Sequence, residues 1–202
     1  MKQIAREGIA TLETDQPIWE RFFCVFQLVL IGTREQEGDY DLAPKHMAMP
    51  MSWQNYFGFV CAPHHRTYQN AQREQAFTVS YPRPSQIVLT SLAAAPRCND
   101  DSKPALRALP TFRASRIDGI FVQDGYLFLE CTLDRIIDGF GDNSLITGRI
   151  VAAHVDEKAL RTSERDDRDL IHESPLLAYL YPGRTASIDQ SYSFPFPINF
   201  KR

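Results

Sequence analysis

The feature that most constrains the fold is a recurrence of short runs rich in β-branched and aromatic residues, each closed by Gly, Pro, Asn or Asp. Six such runs occupy residues 22–33, 56–61, 77–81, 115–122, 126–136 and 145–155. Residues of this kind suit a pleated, half-buried surface, so the runs predict the strands of a sheet or barrel. Between two of them stands Gln123-Asp124-Gly125. Asp-Gly readily takes the positive φ that a tight turn demands, and a hairpin is expected there.

Helical signals sit in the connections. Ser85 followed by QIVLTSLAAA and stopped by Pro96 reads as a capped helix, and Ser174 with Pro175 at the first helical position opens a second, LLAYL. Residues 67–75 form a third candidate. Residues 96–110, rich in Asn, Asp, Ser and Pro, read as an insertion around a short PALRAL helix. The charge run 161–169 reads as a solvated loop or helix face. The chain is therefore expected to be mainly β with peripheral helices.

With 202 residues, 44% hydrophobic and 11% aromatic, there is enough chain for one domain with a sizeable core. Residues 1–202 are read as that single domain. Its tail, residues 190–202, is apolar, but the alternating prolines of Phe194-Pro-Phe-Pro-Ile-Asn-Phe200 exclude a central strand. The tail is expected to lie extended against a surface, such as that of a partner subunit.

The net charge of -3 comes from 22 basic and 25 acidic residues that are interspersed, which argues against a nucleic-acid partner. The first ten residues carry Lys2, Arg6 and Glu7 with no apolar core, and the longest apolar run, 22–32, is too short to span a bilayer. No membrane association and a cytoplasmic location are expected. Cys24, Cys61, Cys98 and Cys131 lie more than thirty residues apart with no CxxC pair, the pattern of free core thiols in a reducing compartment.

A phosphate monoester is best held by backbone N–H groups, hydroxyls and a guanidinium or ammonium at a helix N-terminus. Arg66 and Thr67 open the third candidate helix and Asn70 follows three residues on, which supplies that combination within one turn. Met47, Met49 and Met51 with His46, His64 and His65 could suggest a copper site. Pro50 interrupts that run and the histidines lie on separate segments, so no metal is assigned. His154, alternating with apolar neighbours, reads as a structural histidine. Gly139-Phe140-Gly141 has Ser144 where a dinucleotide fingerprint needs its third glycine, and no GxSxG, HExxH or Walker A motif is present.

Three fragments carry a family likeness by their order: LVLIGTREQEGDYDLAPKHMAMP (28–50), HRTYQN (65–70) and EQAFTVSYP (74–82). This order resembles the flavin reductase-like family of FMN-binding split barrels. There, a strand ending in a Gly turn precedes an Asn-x-Ala-Pro-x-Ser stretch, a basic-x-Thr-x-x-Asn stretch and a Glu-Phe strand. A weaker likeness continues through 125–131 and 141–151, so it covers most of residues 20–190. Two positions depart from the pattern: the family's Asn is Asp41 and its Ser is His46.

The resemblance implies a split β-barrel of Greek-key type, bound FMN in a cleft near a homodimer interface, NADH or NADPH as electron donor, and a small-molecule electron acceptor. It implies that Arg66 and Thr67, with Asn70, bind the phosphate. It also implies that Asp41 and Ala43-Pro44-Lys45-His46-Met47 line the flavin ring, with Lys45 reaching the phosphate or the reduced ring and His46 acting as a titratable donor. Trp53 is a further large group expected near the ring. No residue is assigned as catalytic. The activity expected is NAD(P)H-dependent flavin reduction. The alternatives are an FMN-binding electron relay that does not oxidise nicotinamides, and a split barrel that has lost flavin.

Overall fold

A computed structural model describes residues 7–36 and 38–197. The expectations for the first six residues, and for the end of the tail beyond 197, lie outside the described residues. In chain order the elements are β1 (Cys24–Gln27), β2 (Val29–Arg34), β3 (Tyr40–Lys45), β4 (Ala48–Pro50), β5 (Tyr56–Cys61), α1 (Arg66–Glu74), β6 (Ala76–Tyr81) and α2 (Ile87–Leu92). There follow β7 (Thr111–Arg113), β8 (Ile120–Val122), β9 (Leu127–Phe140), β10 (Asn143–Val155), α3 (Asp167–Glu173), β11 (Leu176–Tyr181) and β12 (Arg184–Ile188).

Seven strands form one antiparallel sheet in the order β3-β2-β6-β9-β10-β5-β4. Its two edges, β3 and β4, are joined in sequence by His46 and Met47 alone. In a flat sheet, six strand spacings would hold those edges about 29 Å apart. Three Cα–Cα steps reach at most about 11 Å. The sheet must therefore curl until its edges meet at that corner, making a barrel split between β3 and β4. Pro44 and Pro50 lie on these edge strands, where a missing N–H breaks no ladder of a central strand.

The barrel interior is filled by alternate residues of facing strands: Val29, Ile31, Phe57, Phe59, Phe77, Val79, Cys131 and Ile146. β2 is buried on both faces, because Leu30 packs outside the barrel with Leu42, Ala93, Leu109 and Val122. Gly32 sits where two backbones approach: a Cβ there would lie 2.8 Å from the Ile120 carbonyl oxygen. A second sheet, β1-β11-β12, and a two-stranded ribbon, β7-β8, complete the strands.

Several expectations are corrected. The run 22–33 divides at Leu28 into β1 and β2, which belong to different sheets. LLAYL is not a helix but β11, held between β1 and β12, with Leu177 and Ala178 buried by that pairing. The helix lies just before it, as α3, at the end of the charge run, and Ser174 is its C-cap. Asp124 does take a positive φ of 61°, but the strands flanking the turn do not pair. Instead β8 pairs with β7, and β9 with β6 and β10.

Only residues 120–122 of the run 115–122 are a strand. Residues 115–117 form a loop that wraps a buried carboxylate, as Glu130 accepts hydrogen bonds from the amides of Ser115 (2.9 Å), Arg116 (2.6 Å) and Ile117 (3.0 Å) and from the Ser115 hydroxyl (2.7 Å). His154 Nε2 lies 3.1 Å from the same carboxylate, the structural role expected of it. Ser85 does not cap α2; it lies inside a 3-10 turn, Pro84–Gln86, that leads into the helix. The PALRAL segment forms a 3-10 turn, Pro104–Ala108. All four cysteines are free, yet only Cys61 and Cys131 are buried; Cys24 is half-buried and Cys98 exposed.

Candidate functional site

α1 forms the base of the site. Thr67, Tyr68, Asn70 and Ala71 bury one face of it against the barrel, and Gln75 ends it in the left-handed region at φ 55°. Its N-cap is His65, in extended conformation, whose side chain caps no amide of the first turn. A helix start of this kind presents its first N–H groups, with the positive end of the macrodipole, to an anion.

Side chains from three elements gather there, with cations from two of them, Lys45 of β3 and Arg66 of α1. Lys45, at the end of β3, meets the Cys61 thiol at the end of β5, and Cys61 Sγ lies 3.8 Å from His65 Nδ1. Burial pushes the Cys61 thiol up, against the opposing pull of Lys45. Burial, Lys45 and His64, in that order, hold His65 below the usual histidine value. Arg66, the first residue of α1, forms an ion pair with Asp101.

Asp101 belongs to a charge network carried by the segment 96–110. Arg97 forms ion pairs with Glu35, with Asp41 (3.3 Å) and with Asp101 (3.9 Å). Lys103 Nζ bonds both Asp41 Oδ1 (3.2 Å) and the Leu42 carbonyl (2.9 Å). The Asp41 carboxylate is thus 4% exposed and matched by two cations brought from that segment. Behind it, Asn70 donates to Thr33 Oγ1 at 3.2 Å.

At the barrel's split, the His46 ring lies between the two sheets. It stacks on Tyr181 (centroids 5.3 Å apart, 19° between planes), tilts against Tyr179 (4.9 Å) and meets the edge of Phe26 (5.5 Å). Burial and then Lys45 depress its pKa, so the neutral imidazole is favoured. Met47 is exposed on an apolar groove of about 320 Å³ lined by Val25, Phe26, Ala48, Met49 and Val60 among others. Ala43 and Pro44 are half-buried on β3, and Trp53 is fully exposed.

Lys45 links the split to the helix start, being electrostatically coupled to His46 on one side and to Cys61 and His65 on the other. Asp41 and Arg66 are joined only indirectly, through Arg97 and Asp101. His65, Cys61, Arg97, Asp101, Lys103, Tyr179 and Tyr181 were not expected from the sequence to stand at the flavin site. The density of Arg, Asp and Lys in 97–103 was the one local signal for three of them.

Two polar atoms at the site, His46 Nε2 and Asn70 Oδ1, are buried without a hydrogen-bond partner among the described residues. With the uncapped helix start and its flanking cations, they make a donor and acceptor set that fits a phosphorylated, hydrogen-bonding ligand such as FMN.

Fold and site together define a split-barrel protein with a helix start, uncapped by a side chain, beside the split. The chain belongs to the family described as flavin reductase like domain, which it matches over residues 24–183. Among solved structures it is similar to nitrilotriacetate monooxygenase component B from Bacillus cereus (17% identity, 94% of this chain and 100% of that chain, TM-score 0.79). It is also similar to 2-nitrobenzoate 2-nitroreductase from Pseudomonas fluorescens (20%, 100% and 99%, 0.78). A third likeness is to an FMN-binding protein from Thermus thermophilus with bound p-hydroxybenzaldehyde (18%, 96% and 100%, 0.70). At these identities the likeness is one of fold. Among the described residues, no helix is long and apolar enough to cross a membrane.

Proposed function

We propose that this chain binds FMN and works as an NAD(P)H-dependent flavin oxidoreductase in the cytoplasm, as a homodimer that passes electrons to a small-molecule acceptor. The observation that carries the reading is the uncapped start of α1, flanked by Lys45, His65 and Arg66, in a chain of the flavin reductase-like family. The FMN-binding and nitroreductase likenesses support it.

FMN, when bound, supplies the redox chemistry, taking two electrons from a nicotinamide and releasing them to an acceptor. The chain's own residues hold and orient. The amides of Arg66 and Thr67, with the Arg66 guanidinium and the Lys45 ammonium, would hold the phosphate dianion and offset its charge. Ala43, Pro44, His46 and Met47 border the split, where they would line a flat ring. His46, kept neutral by burial and Lys45, has a free ring nitrogen that serves as a hydrogen-bonding group rather than a fixed charge. Asp41 and Asn70 stand behind this layer and brace it.

The test is anaerobic mixing of NADH or NADPH with the FMN-loaded protein. The expected result is bleaching of the flavin absorbance, faster than in the same mixture without protein. Bleaching by dithionite but by neither nicotinamide would replace the reductase with an electron relay. A protein that takes up no FMN would remove the flavin reading altogether.

A further inference from the structure

Arg66 heads the helix that offers the anion site, but its guanidinium is already engaged by the carboxylate of Asp101. That carboxylate is delivered by a well-formed turn. Cys98 N donates to the Ser102 carbonyl (2.8 Å), Asp101 N to the Cys98 carbonyl (2.9 Å), and Arg97 to the Asp101 carbonyl (2.7 Å). Asp101 itself sits at φ 62°, a left-handed conformation that aspartate and asparagine tolerate better than most residues.

We propose that Asp101 is an internal competitor for the phosphate of FMN: it holds Arg66 in the unliganded protein, yields it when the phosphate binds, and so sets the preference for FMN over riboflavin. The inference rests on the flavin reading above.

Charge balance says which group must give way. Among the described residues the network sets Arg66, Arg97 and Lys103 against Glu35, Asp41 and Asp101. With Lys45 counted beside Arg66, a phosphate dianion entering there leaves one negative charge in excess, and withdrawal of a single carboxylate restores the balance. Asp41 and Glu35 side chains are 5% and 17% exposed and are pinned by Lys103 and Arg97. The Asp101 side chain is 50% exposed, so water can receive it at least cost. Arg97, which touches all three carboxylates, remains to hold Glu35 and Asp41 when Asp101 leaves.

Arg66 and Asp101 are both well exposed to solvent, so the effect on affinity is modest. The experiment titrates wild type, Asp101→Asn, Asp101→Gly, Arg66→Ala and the double variant Arg66→Ala/Asp101→Asn with FMN and with riboflavin, following quenching of flavin fluorescence. Asn removes the charge and keeps the turn; Gly suits the same φ and guards against an effect peculiar to Asn. Both single Asp101 variants should bind FMN about twofold to fivefold more tightly, leave riboflavin unchanged, and lose that gain in high salt. In the Arg66→Ala background, Asp101→Asn should change nothing. Unchanged FMN affinity in both Asp101 variants, or equal tightening of both flavins, overturns the proposal while the flavin reading stands. A wild type that binds no FMN overturns both.

Discussion

Glu130 shows how much a single buried charge can organise. Burial alone would raise its pKa. The amide and hydroxyl of Ser115, the Arg116 amide and His154 outweigh that effect and bring it from the ordinary 4.5 to about 2. A displacement of that size corresponds to about 3 kcal/mol of folding free energy. Because the folded value lies below the unfolded one, this stabilisation is complete above about pH 4.5 and is lost as the pH falls through about 2. Glu130→Gln should therefore be about 3 kcal/mol less stable than wild type at pH 7 by urea unfolding, with the gap closing toward pH 2. A gap that stays constant with pH would show that the charge itself is not what the loop requires.

At the scale of elements, the barrel strands differ in how much room they leave. A Cβ at Gly148 in β10 would lie 2.6 Å from two carbons of the Phe77 ring, which is 1% exposed and packed edge-on against Phe59. A Cβ at Gly58 in the neighbouring β5 would meet Met51 Sδ at 2.6 Å, the mobile part of a flexible, half-buried side chain. Gly148→Ala should cost about 1–3 kcal/mol, as overpacking does in a filled core, and Gly58→Ala less than about 1 kcal/mol. Equal losses in urea melts would mean that Met51 is as fixed as Phe77. The same local detail explains part of what could be read in advance. α1 and β5, β6, β9 and β10 are legible because each presents its own apolar period and its own stop signal.

The whole molecule leaves apolar surface uncovered. Trp19, Phe23, Val25, Met49, Tyr192 and Phe194 are all exposed, more than scattered surface residues account for. The described part of the tail, through residue 197, forms no strand beyond β12. If a second copy covers these groups, sedimentation should give twice the 23.1 kDa chain mass, and deletion of residues 194–202 should weaken the dimer. A stable monomer that still binds FMN would remove the interface.

Local chemistry was enough to call for a mainly β chain and to place α1 with Arg66 and Thr67 at its start. Short-range apolar periods depend only on neighbours along the chain, so they survive in one dimension. What the sequence could not carry was partnership across distance. LLAYL has the residues of a helix and became a strand because β1 and β12 were there to pair with it. Asp41 gained its cations from residues 56 and 62 positions away, and His46 its aromatic neighbours from the far end of the chain. Sheet pairing, ion pairs and ring contacts are set by which surfaces the closed barrel brings together, and only the tertiary structure decides that.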